Sequence, residues 1–396
     1  FTRALLSCWP YLILNWPVKK IAALTSMGVG AGYLLLSGAS VATERAYIMA
    51  FTIFAAVLLE RRAITLQALA IAAILVLLLR PEALLGPGFQ MSFAATGLLI
   101  IVFNAMSQWS WMARWPIGAR YVMGSVVSAA VAGLATAPIA AAHFNHLPHY
   151  GVLANVIAVP IMAFVVMPGA IVAAALAPFG GEALGLWGMT LGLGAILDVA
   201  SFVADLPHSI SHIKAPAPKV LGILAVSVLF GIFWQGRLRC LAAIPACAAL
   251  GFWIVFPRPD VLISADGRLI GVMVEGARVL NVAKGSGFVA RSWLENDGRP
   301  ISQQSAYGMM PSWIEIVGKG SQPEPSCHAV LVVVQDWRSE RTCDGFDLGN
   351  LTAAGGLAGR FDKSGMLHWT TVRQAIGHRL WNSAALRPAI THHRAA

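Results

Sequence analysis

Residues 152–177 read VLANVIAVPIMAFVVMPGAIVAAALA and contain no charged side chain. The hydrocarbon core of a bilayer needs about 20 consecutive apolar residues of helix, so this stretch is typical of a transmembrane span. Pro160 and Pro168 lie inside it. A proline within a helix frees carbonyl groups that need other partners in lipid, so both prolines predict a kink.

Apolar runs of similar length recur on both sides of this stretch, as far as residue 256. Because irregular backbone cannot be exposed to lipid, each run is expected to be helical. The pattern predicts about ten spans, with eight to eleven acceptable because two runs are short. The candidates are 4–18, 21–40, 46–59, 63–79, 89–106, 121–142, 152–177, 183–204, 219–235 and 240–256.

The composition of the whole chain agrees with a membrane protein. Its 396 residues are 57% hydrophobic and 12% charged, and the mean hydropathy is +0.69. Soluble domains carry roughly 25% charged residues. This composition excludes a cytosolic enzyme, a disordered tail and a fibrous protein.

Charge divides the chain into two predicted domains. Residues 1–256 hold 13 Lys and Arg against 6 Asp and Glu, whereas residues 257–396 hold 15 against 12. The second part contains short β-type runs, with Asp266-Gly267 and Glu275-Gly276 as turn signals. We therefore predict a mainly α fold: a polytopic transmembrane helix bundle over 1–256, followed by a small β-rich soluble domain over 257–396 whose end, about 370–396, is loosely structured.

The basic residues of alternate loops predict the orientation. One set of loops holds eight Lys and Arg residues, among them Arg61 and Arg239, and the other set holds four, among them Arg45 and Arg80. Cytoplasmic loops carry the excess of positive charge. For an even number of spans, residue 1 and the C-terminal domain are then extracytoplasmic. The net charge of +10 fits anchoring to anionic lipid, and a polyanionic substrate is the sharper alternative.

Polar groups and helix breakers at bilayer depth are the candidate functional positions, because each is costly unless paired or hydrated. Ordinary packing also accounts for each of them. A metal site of three histidines, His143, His146 and His149, is disfavoured because Pro148 interrupts their register. The candidate channel-lining or gating residues are Arg45, Gly88, Gln90, Ser92, Asn155, Pro160 and Asp198.

The C-terminal part lacks recognisable catalytic motifs, so we expect neither an enzyme nor a metal or other cofactor. It holds two cysteines, Cys327 and Cys343, on either side of a predicted strand. On an oxidising face these two form a plausible disulfide.

Several motifs together resemble the competence domain of the ComEC family. They occur in the family's order and with similar spacing, and they cover about residues 40–256. They are Glu44-Arg45-Ala46-Tyr47-Ile48-Met49, Arg80-Pro81, Gly88-Phe89-Gln90-Met91-Ser92-Phe93, Ala137-Pro138, His143-Phe144, Leu153-Ala154-Asn155, Pro160 and Met167-Pro168.

The resemblance implies an inner-membrane channel that takes up single-stranded DNA in natural transformation. Its implied partners are single-stranded DNA, membrane lipids, other competence proteins, a cytoplasmic motor and a second copy of the chain. The C-terminal domain is then expected to be periplasmic. Fuller members carry a soluble domain before the bundle and a metallo-β-lactamase-like domain after it. The signature of the latter is absent here, so no nuclease role is implied, and a chain that begins at Phe1 looks like the continuation of a longer one.

Two other functions remain open at this level. One is a proton-coupled transporter of a small solute or lipid intermediate, in which Asp198 carries the proton. The other is a non-transporting membrane scaffold whose C-terminal domain binds partners.

Overall fold

The computed structural model describes residues 17–109, 114–217, 219–234, 236–317, 331–334, 345–346 and 348–376. The chain divides into two compact units, 1–211 and 212–396. The predicted boundary at residue 256 falls inside the second unit. Two apolar helices before it therefore group with the β-rich region rather than with the first unit.

The first unit consists of helices joined by short connections. Hydroxyl side chains cap two of them: Ser40 accepts a hydrogen bond from Thr43 N, and Thr65 from Ala68 N. Each cap satisfies an amide at the start of an apolar helix. The helices are α1 (Val18–Leu36), α2 (Val41–Leu58), α3 (Leu66–Leu79), α4 (Pro87–Met106), α5 (Ile117–Phe144), α6 (Gly151–Ile161), α7 (Met167–Leu176) and α8 (Glu182–Ala204).

Short elements connect these helices. A 3₁₀ turn, Pro81–Leu85, precedes α4, and another, Ala177–Phe179, follows α7. Asn145 takes the left-handed conformation with φ 60°, which ends α5. Strands β1 (His146–Pro148) and β2 (Ile210–His212) then pair as a two-stranded ribbon.

The stretch with two prolines is one long helix interrupted by a π-helical turn. Met162–Val166 forms this turn between α6 and α7, directly after Pro160. A π turn accommodates an extra residue in a helix, and such turns are frequent at functional sites. A π turn therefore interrupts the regular helix in the stretch where the two prolines predict a kink.

Helix α8 packs against α7 and the π turn through two glycines, which lie seven residues apart. A Cβ added to Gly185 would collide with the backbone nitrogen of Ala173, and one added to Gly192 would lie 2.7 Å from Val166 Cγ2. Only a missing side chain permits backbones to approach this closely. Gly28 and Gly32 on α1 make no such contact, because a Cβ on either of them would meet nothing within 4 Å.

Six helical segments in the described part of the chain are long and apolar enough to cross a membrane, by length and composition. Two shorter apolar helices accompany them, Leu66–Leu79 and Val220–Phe233. The six segments are Val41–Leu58, Pro87–Met106, Ile117–Phe144, Gly151–Phe179, Glu182–Ala204 and Arg237–Val255.

The second unit begins with two apolar helices, α9 (Val220–Phe233) and α10 (Ala243–Val255), joined through a 3₁₀ turn, Arg237–Ala242. Two sheets and short helices follow. The strands are β3 (Val261–Ile263), β4 (Ile270–Val274), β5 (Ala277–Leu280), β6 (Ile314–Val317), β7 (Leu331–Val334), β8 (Gly345–Phe346), β9 (Leu357–Phe361) and β10 (Leu367–Thr371). The helices are α11 (Gly287–Asn296), α12 (Gln303–Ala306), α13 (Leu348–Ala354) and α14 (Val372–Ile376).

An antiparallel five-stranded sheet has the order β10-β9-β3-β4-β5, and a parallel three-stranded sheet has the order β6-β7-β8. Both turn signals read from the sequence are confirmed, because β3–β4 and β4–β5 are antiparallel pairs. Glu275 and Gly276 both have positive φ, as a tight two-residue hairpin turn requires. Cys327, Cys343 and residues 377–396 lie outside the described residues, so the disulfide remains a prediction.

A buried ionic cluster joins α10 to the sheet within the second unit. Asp297 accepts hydrogen bonds from Arg258, three residues after the end of α10, and from Arg278 on β5. Trp253 Nε1 donates to Lys214 O at 2.8 Å, and Ala215 N donates to Asn296 O at 2.9 Å. These contacts fix the end of the helix pair to the β-rich domain.

The glycine contact between α7 and α8 gives the first prediction. Gly185→Ala forces the two helices apart and lowers the stability of the purified protein in detergent by about 1–3 kcal/mol. Gly188→Ala is the matched control, because a Cβ there meets nothing within 4 Å. Thermal unfolding of both variants measures the difference; equal midpoints for the two would contradict this packing.

Candidate functional site

Polar side chains of the first unit gather at one end of its helices. Three helices begin at this end, α2, α4 and α6, and three helices end there, α3, α5 and α8. The antiparallel order of the helices and the β1–β2 ribbon require this arrangement. We call this the polar end. At the opposite end Lys20 and Glu60 form an ion pair of 2.7 Å, and its hydrogen bond lowers the pKa of Glu60.

Arg45 and Gly88 meet at the polar end. A Cβ added to Gly88 would lie 2.8 Å from Arg45 Nη1 and 3.1 Å from Nη2. The guanidinium of Arg45 therefore rests directly against the first turn of α4, where glycine leaves the space open. The two candidates come from separate stretches of sequence, and the structure brings them into contact.

The neighbouring charges at the polar end leave Arg45 without a counter-ion. Glu44 pairs instead with Arg80, at 2.7 Å between Oε2 and Nε. Within the described residues Arg45 makes no ion pair. Glu44 is therefore neutralised by Arg80, while Glu82, in the 3₁₀ turn before α4, is exposed.

The start of α4 adds to the positive potential beside Arg45. Gly86 is the N-cap, Pro87 occupies the first turn, and no side chain caps this end. The first amide groups of a helix have no partner within it and carry the positive end of its dipole. Arg45 and the start of α4 together form a site suited to an anion.

Gln90 connects three elements at the polar end. Its Nε2 donates to Leu84 O at 3.0 Å, and its Oε1 lies 3.0 Å from His143 Nε2, at the end of α5. The sequence singled out both Gln90 and His143 but did not predict that they form a pair. The signal available was that each ends or begins an apolar run.

A second polar pair lies close by in sequence. His149 Nε2 and Ser211 Oγ are 2.6 Å apart, and Tyr150 OH donates to Pro207 O at 3.2 Å. These bonds attach the turn after α5 to the segment after α8. No group of three or more side chains suited to a metal ion occurs in the described part of the chain.

The remaining candidates are more dispersed. Ser92 is half-buried on α4, one half-turn beyond Gln90, and Asn155 is exposed on the second turn of α6. Pro160 lies at the π turn, away from the polar end. Asp198 is exposed on α8, and it forms no ion pair with the residues that the structure describes.

The fold and this polar end define a multi-pass membrane protein with a cationic site where several helices begin or end. A profile of the family described as "Competence protein" matches residues 1–238, more than half of the chain. The chain therefore belongs to the competence protein family, as the resemblance to ComEC proteins predicted.

A curated relative extends this comparison. The chain is 26% identical over 200 residues to ComE operon protein 3 of Bacillus subtilis (strain 168). The match covers 50% of this chain and 24% of that relative, so the chain corresponds to only part of its length. No solved structure matches the chain.

The contact between Arg45 and Gly88 gives the second prediction. Gly88→Ala displaces the guanidinium and lowers thermal stability by about 0.5–1 kcal/mol, a small cost because the displaced group is the end of a flexible side chain. In an Arg45→Ala background the same change costs little, because the colliding group is gone. A double-mutant cycle on unfolding in detergent measures this coupling.

Gly118→Ala is the control for that cycle, since a Cβ there meets nothing within 4 Å. Equal costs of Gly88→Ala in the two backgrounds would show that Arg45 does not rest on this glycine.

Proposed function

We propose that this chain is the membrane body of a DNA-uptake channel, which passes a single strand of DNA across the inner membrane in natural transformation. Membership of the competence protein family supports a role in DNA uptake. The polar end supports contact with the phosphates of DNA. The carrying observation is the guanidinium of Arg45, which has no ion-pair partner among the described residues and lies against the uncapped start of α4.

A DNA strand needs such groups because it carries one negative charge per nucleotide. Moving it through a membrane requires replacement of the water around successive phosphates. Arginine offers a planar fork of donors to phosphate, and backbone amides at a helix start add more. We assign Arg45 and Gly88 to phosphate contact at the mouth. Gln90, Ser92 and Asn155 supply neutral polar lining, and the π turn after Pro160 supplies a gate.

The helix order supports a topology with about ten spans. Besides the six long segments, we propose that α1, α3 and α9 cross the membrane. The apolar run 4–18, which the sequence predicts as a further span, lies outside the described residues up to residue 16. Lys20, Arg61, Arg62, Arg120 and Arg239 then share the cytoplasmic side. The polar end and the C-terminal domain are periplasmic, so Arg45 would meet incoming DNA.

In this proposal the chain is a conduit rather than an enzyme, and it works with other competence proteins and a cytoplasmic motor. A second copy of the chain is a further partner. Proton coupling through Asp198 is the competing mechanism; Asp198 lies exposed on α8, apart from the polar end.

The third prediction tests the role of the polar end. In a naturally competent host, Arg45→Gln reduces passage of labelled DNA into the cytoplasmic fraction by about tenfold or more, since it removes one charged contact to phosphate. Gln90→Ala reduces entry as well. DNA bound at the cell surface remains unchanged, because binding precedes passage.

Arg61→Gln is the matched control, because it removes an arginine from the opposite end. Asp198→Asn leaves uptake intact in this proposal, whereas proton coupling through Asp198 requires a loss. Normal uptake by Arg45→Gln at normal membrane levels would refute the assignment.

A further inference from the structure

An apolar groove lies on the helix pair of the second unit. Its volume is about 430 Å³, within the range of about 300–1,000 Å³ that is common for ligand sites. One wall is a single face of α9, and the other wall is the start of α10 with the 3₁₀ turn before it. The lining residues are Gly222, Ile223, Val226, Ser227, Phe230, Leu241, Ala242 and Pro245.

The groove has almost no hydrogen-bonding capacity. Ser227 is its one hydroxyl residue, and Ser227 Oγ donates to Ile223 O at 2.7 Å, within the helix. The five lining residues on α9 extend from Gly222 to Phe230, which is about 12 Å along a helix. A groove of this length and character fits an alkyl chain better than a polar solute.

Two arginines lie at one end of the groove. Arg237 and Arg239 belong to the 3₁₀ turn whose last residues, Leu241 and Ala242, line the wall. Both side chains are exposed, and neither forms an ion pair with any described residue. Their guanidinium groups are therefore available to an anion at the mouth of the groove.

An aromatic pair marks the same end as a membrane interface. Phe230, which lines the groove, stacks on Trp234 with ring centroids 5.0 Å apart. Tryptophan is enriched where hydrocarbon meets headgroups. The apolar length thus ends at Trp234, and the cationic groups begin three residues later.

The length of α9 brings these charges close to the hydrocarbon. Its 14 residues span about 21 Å, less than the roughly 30 Å of a bilayer core. A short span is accommodated by local thinning of the bilayer and by side chains that extend to the interface. A headgroup beside α9 is therefore drawn toward Arg237 and Arg239.

We propose that this groove binds one anionic glycerophospholipid, with an acyl chain along α9 and the phosphate on Arg237 and Arg239. The positive charge of the two arginines selects an anionic headgroup, and the apolar wall of the groove holds the acyl chain. Basic pockets between transmembrane helices are suited to such lipids. The site is separate from the polar end of the first unit and does not depend on DNA uptake.

Native mass spectrometry of the full-length chain in detergent tests the proposal, with phosphatidylglycerol and phosphatidylcholine as the titrated probes. The unmodified chain retains one phosphatidylglycerol in preference to phosphatidylcholine. The double variant R237Q/R239Q loses affinity by about twenty-five-fold, because each arginine near an anionic surface contributes a factor of about five.

Two matched controls separate the groove from general basic attraction. R61Q/R62Q removes two adjacent exposed arginines elsewhere and leaves retention unchanged. Gly222→Leu fills the groove and abolishes retention, whereas Gly251→Leu on α10 does not; a Cβ at either glycine meets nothing within 4 Å.

Three results would overturn the proposal. If R61Q/R62Q lost as much affinity for phosphatidylglycerol as R237Q/R239Q, the attraction would be unspecific. If the unmodified chain retained phosphatidylcholine as well as phosphatidylglycerol, the arginines would select no headgroup. A groove occupied by a second copy of the chain, seen as a lipid-free dimer that Gly222→Leu dissociates, would exclude the lipid. The thermal midpoint of each variant confirms that it is folded.

Discussion

The hydrogen-bonding demand of the backbone in lipid is the constraint on which this structure depends. Within hydrocarbon every N–H and C=O group needs a partner inside the protein, so apolar stretches form helices and irregular backbone is confined to protein-lined places. Within the first unit, the π turn Met162–Val166 interrupts a long helix, and α4 begins after Gly86 without a side-chain cap. Both places leave backbone groups without their regular helical partners, and the first turn of α4 lies against Arg45 through Gly88.

Charge pairing then decides which of the costly polar groups remains available. Arg80 neutralises Glu44 and Gln90 Oε1 lies 3.0 Å from His143 Nε2, so Arg45 is left without an ion-pair partner among the described residues. Glycine at position 88 is required for this arrangement, since any side chain there would occupy the space of the guanidinium. Likewise, α8 packs closely against α7 because Gly185 has no side chain. The second unit uses ionic pairing instead: Asp297, between two arginines, fixes the helix pair to the sheet.

Local patterns were enough to predict the local features. Apolar run length predicted the positions of the long helices, and Asp266-Gly267 and Glu275-Gly276 predicted the hairpins. Each of these signals depends only on residues that are neighbours in the sequence. Contacts between distant residues were not predictable in the same way. The pairing of Glu44 with Arg80, the seating of Arg45 on Gly88, and the grouping of α9 and α10 with the β-rich domain all depend on tertiary packing. Nor did glycine spacing alone indicate that Gly185 and Gly192, rather than Gly188, face the neighbouring helix.

We propose that DNA passes close to Arg45, and photocrosslinking tests this proposal most directly. Ala83 lines a pocket of only about 10 Å³ together with Arg45 and Arg80, whereas Leu78 on α3 is exposed on the apolar surface. With a photoreactive residue in place of each, and labelled DNA stalled in transit by a bulky end, the account predicts DNA crosslinks at position 83 and none at position 78. Crosslinks at position 78 alone, or at neither position while uptake continues, would contradict it.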